Sequence, residues 1–253
     1  MKPIHVDIHA ALGAFRGIPV WSAMDMARSA KEPLFGPIST AQVQICPQNM
    51  GKMTTCSAEA LRVRNPDVQF RLHANVQADG WTPHADASTF LQYGGYFHIL
   101  RRISEALGAQ AYTWHAGMRC HAALDIVLAT TRRLEDDWGI AVGVEGLYPT
   151  ADDRYVLSTW EEYRQLLESG VKYALDMSHV NILAHRSGER NEGLVREMLA
   201  SPACIEVHVS GNAGDADTHG QLATEPWWWN LLDVVNPEAV FFTEGGQTRP
   251  VYF

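Results

Sequence analysis

Residues 203–220 read ACIEVHVSGNAGDADTHG, and the order of residue types in this stretch sets the fold. An apolar-alternating run delivers His208 at its end, and a short polar loop then puts Asp217 and His219 two residues apart. Upstream, ALDMSH stops a similar run at Asp176 with His179 close behind, and downstream AVFFTEGG brings up Glu244. Alternation of this kind is the period of a half-buried strand. Carboxylates and imidazoles that recur where such runs stop line one end of a sheet with ligand-type groups.

Working outward, the same pattern repeats. Residues 4–8 form a short apolar run ending at His9, followed by AALGAFRG as a loop and VWSAMDMARSA at helical spacing. AQVQIC is the second strand, and SAEALRVR a short helix opened by Ser57. VQFRLH is the third strand, ending at His73. A polar loop leads to the helix TFLQYGGYFHILRRISEALG, with Gly108 as its stop, and AQAYTWH is a strand ending at His115. CHAALDIVLATTRRLEDDWG is an amphipathic helix with a Gly stop, and IAVGVE a strand ending at Glu145. TWEEYRQLLESG is a helix capped by Thr159, VKYALD a strand, GLVREMLA a helix, and PWWWNLLDVV a helix before the last strand, AVFFTE. Eight strands alternating with helices over 253 residues predict a single α/β domain, a (β/α)8 TIM barrel spanning residues 1–253. No GxGxxG or GxxxxGK follows a strand, which counts against a doubly wound nucleotide-binding sheet.

Composition narrows the function. Hydrophobic residues make up 46% of the chain, ample for a core, and the net charge of −9 argues against a general polyanion binder. A nucleic-acid enzyme stays open, because bound cations would reverse the sign locally. Cys46, Cys56, Cys120 and Cys204 are scattered without a CxxC, as in a reduced compartment. No signal core or membrane-length run is present, so a cytoplasmic protein without membrane contact is expected.

In such a barrel the chemistry sits at the carboxyl ends of the strands. Strands three to eight end in His73, His115, Glu145, Asp176, His208 and Glu244, with His179, Asp217 and His219 in the adjoining loops. Divalent metals of hard and borderline character take mixed carboxylate and imidazole ligands. Nine such groups exceed the needs of one ion, so two or three are expected. His9, Asn75, Asn212 and Trp227 are candidates for substrate contact, with Gln221 beside them in the same loop region. His84, His98, His121 and His185 fall in helices or loops and are read as surface residues or as residues standing behind the ligands. Arg16, Lys52, Arg119 and Arg186 follow strand-like segments and could each meet an anion. There is no GxSxG, so a serine nucleophile has no support.

The blocks DIHAALGAF, VQICPQN, RLHAN, LGAQAYTWHAG, GVEG, LDMSH, EVHVSGN, DTH and TEGG, taken in order, resemble the xylose-isomerase-like TIM-barrel superfamily, in particular its endonuclease IV branch. The resemblance runs nearly end to end. It implies that His73, His115, Glu145, Asp176, His179, His208, Asp217, His219 and Glu244 hold three metals, usually zinc. Glu145, Glu244 and Asp217 would be the catalytic members of a phosphoester or phosphodiester hydrolase. Three blocks depart from that branch. Val-Ser-Gly follows His208 in place of Asp-Ser-Lys, Gly146 and Leu147 stand in place of Asn and a Gly-rich loop, and Thr218 replaces a basic residue.

Two relatives compete. STWEEYRQLLESGVKYALD, the later Gly188, EVHVSG and DTHG resemble the C-terminal half of multinuclear non-haem iron oxidative enzymes that modify peptides. That resemblance implies iron, oxygen, a peptide substrate and a peptide-recognition partner, although the Asn residues usual in that group are missing beside Glu145 and at His179. Sugar or hydroxy-carbonyl isomerases and epimerases need the set that Glu145, Asp176, His208 and Glu244 would satisfy, with manganese among the possible metals. They have no general need of the DTH pair. The expected substrate is thus a small molecule, nucleic acid or peptide seated in the barrel mouth.

Overall fold

Eight strands pair in parallel, each with its neighbour in the chain, until the first meets the last and the sheet closes. They are β1 Ile8–Ala11, β2 Ser39–Ile45, β3 Gln69–His73, β4 Ala111–His115, β5 Ala141–Glu145, β6 Tyr173–Asp176, β7 Cys204–Val209 and β8 Val240–Thr243. Around them run α1 Val20–Ala27, α2 Thr55–Arg64, α3 Gly94–Leu107, α4 Leu124–Trp138, α5 Trp160–Ser169, α6 Met177–Ser187 and α7 Glu192–Ala200. This computed structural model describes residues 6–247. The architecture is the expected (β/α)8 barrel. Among the described residues, no helix is long and apolar enough to cross a membrane.

Closure follows from two-sided burial. The outward face of each strand packs on helices, so the strands read as near-continuous apolar runs. Trp114 on β4 shows how the layers lock. It meets Phe97 of α3 edge to face at 5.4 Å, and its indole N–H donates to Thr131 Oγ1 of α4 at 3.2 Å. The inward faces carry the chemistry. Side chains alternate along a strand, so the register that pairs Asp176 with His208, and His115 with Glu145, brings four ligand-type residues to one rim.

Several expected boundaries move. The run at residues 4–8 was expected to end at His9. The described strand instead carries on through His9 to Ala11, and residues 4 and 5 lie outside the described residues. Thr54 opens α2, not Ser57, because the two side chains satisfy each other's backbone N–H groups in a capping box. The helix expected from residue 89 begins at Gly94, after a 3-10 turn capped by Asp86, and α4 begins only at Leu124. The Trp-rich segment forms a 3-10 stretch, Trp229–Val234, and no α-helix. Gly108 and Gly139 stop their helices in the left-handed conformation and Thr159 caps α5, all as expected. Two elements went unforeseen: a small hairpin, Lys31–Glu32 with Gly36–Pro37, and α6, which starts directly where β6 stops.

Candidate metal centre

The start of α6 illustrates how the fold builds the site. Asp176 ends β6 and also caps α6, its Oδ1 accepting the backbone N–H groups of Ser178 at 2.6 Å and His179 at 3.3 Å. One oxygen is thereby anchored, and Oδ2 is left 3.4 Å from His179 Nε2. With no loop residue between strand and helix, His179 falls in the first helical turn and faces the barrel axis.

Glu145 is the centre of the arrangement. It is 1% exposed, and four imidazoles surround its carboxylate. Its Oε2 faces His208 Nδ1 at 2.9 Å and His73 Nε2 at 3.6 Å, while Oε1 faces His179 Nδ1 at 3.3 Å and His115 Nε2 at 3.7 Å. Glu244 makes the second junction. Its Oε1 lies 3.5 Å from His208 Nδ1 and 4.0 Å from His73 Nε2, and its Oε2 lies 3.5 Å from His219 Nδ1. Asp217 Oδ2 stands between His219 Nε2 at 3.0 Å and His179 Nε2 at 3.4 Å. All nine candidate ligands therefore converge. Among the described residues, three trios bring their ligand atoms within 4.8 Å of one another: His73 with His115 and Glu145, His73 with His208 and Glu244, and Glu145 with Asp176 and His179.

A layer below holds the ligands in place. Glu206, two residues before His208 on the same face of β7, is fully buried. Its Oε2 faces His208 Nε2 at 3.1 Å and accepts from Thr113 Oγ1 and Gln44 Nε2, each at 2.8 Å. Its Oε1 accepts from Arg71 Nη1 at 3.1 Å. Thr113 Oγ1 in turn lies 3.0 Å from His73 Nδ1. His179 Nδ1 lies 2.9 Å from the Gly146 carbonyl. Each of these three histidines thus spends one ring nitrogen on a protein acceptor and turns the other to the cluster, the arrangement that fixes the tautomer of a metal-binding imidazole.

The electrostatics follow from crowding. Burial alone would raise the pKa of Glu145, but His73, His208 and His115 outweigh it and hold the carboxyl well below its ordinary value. Asp176 goes the other way: burial, opposed by His179 and reinforced by Glu244, Glu145 and Asp217, pushes it up to about 7. Burial, only partly offset by Glu145 and compounded by His208, His115 and His179, lowers His73. In His179, His208 and His219 the carboxylates win over burial, and His219 rises to about 9. Buried charges of this kind are normally paired or bound to a metal. The donors fit divalent ions, since Glu145 Oε2, Asp176 Oδ2 and His208 Nδ1 are all buried without a hydrogen-bond partner and all face the cluster.

The candidates for substrate contact do not gather here. His9 stands outside the mouth, its ring 6.2 Å from Phe242 and its Nδ1 accepting the Gln42 N–H at 3.4 Å. Asn75 shapes its own loop, with Nδ2 donating to the Thr82 carbonyl at 2.8 Å. Asn212 and Trp227 line a separate cavity of about 430 Å³. They are nonetheless linked to the site. Trp227 Nε1 donates to Asn181 Oδ1, Asn181 Nδ2 to Asn212 Oδ1, and Asn212 Nδ2 to Ser178 Oγ, which donates to Asp217 Oδ1 at 2.9 Å. Of the histidines read as lying at the surface or behind the ligands, His84 lines the mouth. Sequence reasoning passed over Glu206, Gln44, Arg71, Thr113, Ser178 and Tyr148. The alternation of β7 carried a signal for the first of these, because a residue two before an inward His also points inward.

Neither a protein-family model nor a curated protein sequence matches the chain. Solved structures do match. A D-tagatose 3-epimerase-like protein superposes with a TM-score of 0.68 at 12% identity, covering 96% of this chain and 91% of its own. An IOLI protein with a binding zinc atom gives 0.63 at 10% identity, covering 95% and 89%. An AP endonuclease, family 2, from Brucella melitensis gives 0.61 at 14% identity, covering 96% and 94%. The fold is that of the xylose isomerase-like TIM barrels. At these identities the likeness is one of fold.

Proposed function

We propose that the protein is a multinuclear, divalent-metal-dependent hydrolase that cleaves a phosphoester in a small molecule. The observation that carries this reading is the environment of Glu145, one oxygen of which faces His208 and His73 and the other His115, while His179 closes the ring through the nitrogen that also meets the Gly146 carbonyl. A carboxylate placed in that way would be able to serve more than one divalent ion. A proton-shuttling isomerase needs the same carboxylate open to a substrate carbon, and here it is ringed by histidines. Asp217, which a mononuclear isomerase would leave idle, stands between His179 and His219 at the rim, although these three do not form one of the close trios and would need to draw together around an ion. The single zinc atom in the IOLI neighbour supports zinc as an ion that this fold can hold, not the number of ions.

Divalent ions bound here would supply Lewis-acid polarisation of a phosphoryl oxygen and bring the pKa of an attacking water from 15.7 towards about 7. The chain supplies the rest. Glu145 and Glu244 hold and space the positive charges, and Asp217, anchored by Ser178, keeps the outer set in place. Tyr148 lines the mouth with its ring 4.9 Å from His179. Burial first, and then Asp217, push its pKa up to about 12, so the hydroxyl keeps its proton and can donate to a departing oxygen. The mouth cavity, about 220 Å³, favours a small substrate.

Elemental analysis of protein purified without added metal or chelator, paired with a phosphoester hydrolysis assay, tests the reading. About two to three zinc ions per chain, with turnover lost in Asp217→Ala while the inner ions stay, is the expected result. Iron in that ratio, with oxygen consumed on a peptide and no hydrolysis, would overturn it. A single manganese with isomerisation of a sugar would do the same.

A further inference from the structure

Beside the metal centre lies a second cavity of about 370 Å³, which shares Gln48, His219 and Glu244 with the mouth. A molecule seated at the ligands can therefore extend into it. Its wall is built for close approach. Gly13, Gly220 and Gly246 present backbone to it, and a Cβ added to Gly13 would stand 2.7 Å from Gln48 Oε1. That Gln48 oxygen is buried without a hydrogen-bond partner. The two ends of an amide side chain are interchangeable by a flip, so Gln48 can offer a donor or an acceptor to a guest.

Arg16 also lines this cavity. Four basic residues follow strands where an anion could be met, and three of them are already engaged. Lys52 pairs with Asp79 at 3.1 Å, Arg119 forks onto both oxygens of Glu162, and Arg186 donates to the Asp215 carbonyl at 2.7 Å. Arg16 makes no ion pair or side-chain hydrogen bond among the described residues, and the planar guanidinium suits two-point binding of a carboxylate or phosphate. With a net charge of −9 the chain as a whole repels anions. Recognition of one must be local.

We propose that this cavity binds a second anionic group, a carboxylate or phosphate, of the substrate whose reacting end lies at the metal centre. The substrate class is then a phosphoester carrying a further acid group. The inference rests on the reading of the mouth as a metal centre, and the test separates the two. Binding of succinate and of butyrate to the metal-loaded protein would be measured by calorimetry, in the natural chain and in Arg16→Ala. Both acids offer one carboxylate to the metals, and succinate alone offers a second to Arg16. Succinate is expected to bind roughly tenfold or more tightly than butyrate. Arg16→Ala should abolish that preference while leaving butyrate affinity, metal content and melting temperature unchanged. Equal affinities in the natural chain, or a preference that survives Arg16→Ala, overturn the proposal. A preference that depends on Arg16, in a protein that hydrolyses no phosphoester, removes the hydrolytic reading and leaves the anion pocket standing.

Discussion

Two layers of buried polar side chains lie one above the other inside this barrel, and they are finished to different degrees. In the lower layer both oxygens of Glu206 are engaged, by Arg71 on one and by His208, Thr113 and Gln44 on the other. In the upper layer Glu145, Asp176, Asp217 and Glu244 crowd together; Asp176 Oδ2 has no hydrogen-bond partner, and Glu145 Oε2 and His208 Nδ1 meet only each other, at 2.9 Å and poor angle. A buried polar group left unsatisfied is costly. The lower layer is complete with the chain's own donors, whereas the upper one has the donors that divalent cations would satisfy. The first is scaffold and the second is site.

The sharpest way to break that comparison is to remove one carboxylate from each layer. Glu206→Ala should cost about 3–5 kcal/mol of folding stability, because it leaves the Arg71 guanidinium buried and unpaired. It should also weaken metal retention about 10–100-fold through the freed His208 and His73 rings. Asp176→Asn, which keeps the cap oxygen of α6 and removes a carboxylate that its neighbours push up to about 7, should behave in the opposite sense. Metal content and turnover collapse, but the metal-free protein melts no lower than the natural chain, since a crowded charge has gone. Thermal melts with elemental analysis on both variants check this. Equal destabilisation of the metal-free proteins would abolish the distinction between the layers.

A pH series separates the layers without mutation. His179, His208 and His219 are raised in the metal-free fold, His219 to about 9 from 6.5. A raised imidazole contributes stability that is fully present below its unfolded pKa and is lost as pH climbs through the folded one. Asp176, raised to about 7, loses its contribution earlier on the same climb. The metal-free protein should therefore lose stability between pH 6.5 and 9, on the order of a few kcal/mol. Metal binding needs deprotonated ligands, so the loaded protein should hold or gain stability over the same span. Calorimetric melts with and without chelator measure both slopes, and parallel slopes would contradict metal occupancy of the upper layer.

A smaller effect is expected at Gly146, on the wall between β5 and α5. A Cβ there would stand 2.5 Å from the ring and hydroxyl of Tyr163, whose O–H donates to the Leu147 carbonyl. Gly146→Ala should cost about 1–3 kcal/mol by overpacking, and it should disturb the Gly146 carbonyl that receives His179 Nδ1. A melt combined with metal titration would show both consequences. With Tyr163 seated there, a side chain at position 146 has no room.

How far the site could be read from sequence depends on where its information is stored. His73, His115 and Asp176 announce themselves because each is a strand's last residue, and a barrel gathers strand ends at one rim. Glu145 is visible for the same reason, but its place at the centre of the cluster is not, because that requires histidines from four other segments of chain. Glu206 was hidden by resemblance to an ordinary strand residue: EVHV shows alternation, yet not that Arg71 and Gln44 would come from two other strands to meet it. Helix α6 was missed because Asp176 both ends the strand and caps the helix, leaving no loop to mark the change. Glu32 lies in a hairpin too short to announce itself. It accepts the Leu222 N–H at 2.5 Å and Thr243 Oγ1 at 2.9 Å, tying the hairpin to the chain beside Glu244.

The smallest expected effect bears on charge at the surface. Lys52 and Asp79 form an ion pair at 3.1 Å with side chains 64% and 70% exposed. Water already screens both groups in that position, and holding two long side chains in one geometry costs entropy that offsets the attraction. Lys52→Ala should change stability by less than about 1 kcal/mol and leave metal content, turnover and succinate binding as they were. The variant is therefore the control for Arg16→Ala, since both remove one positive charge from a chain of net charge −9. If anion binding fell equally in the two, the effect would belong to the overall field of the protein and not to the cavity that Arg16 lines.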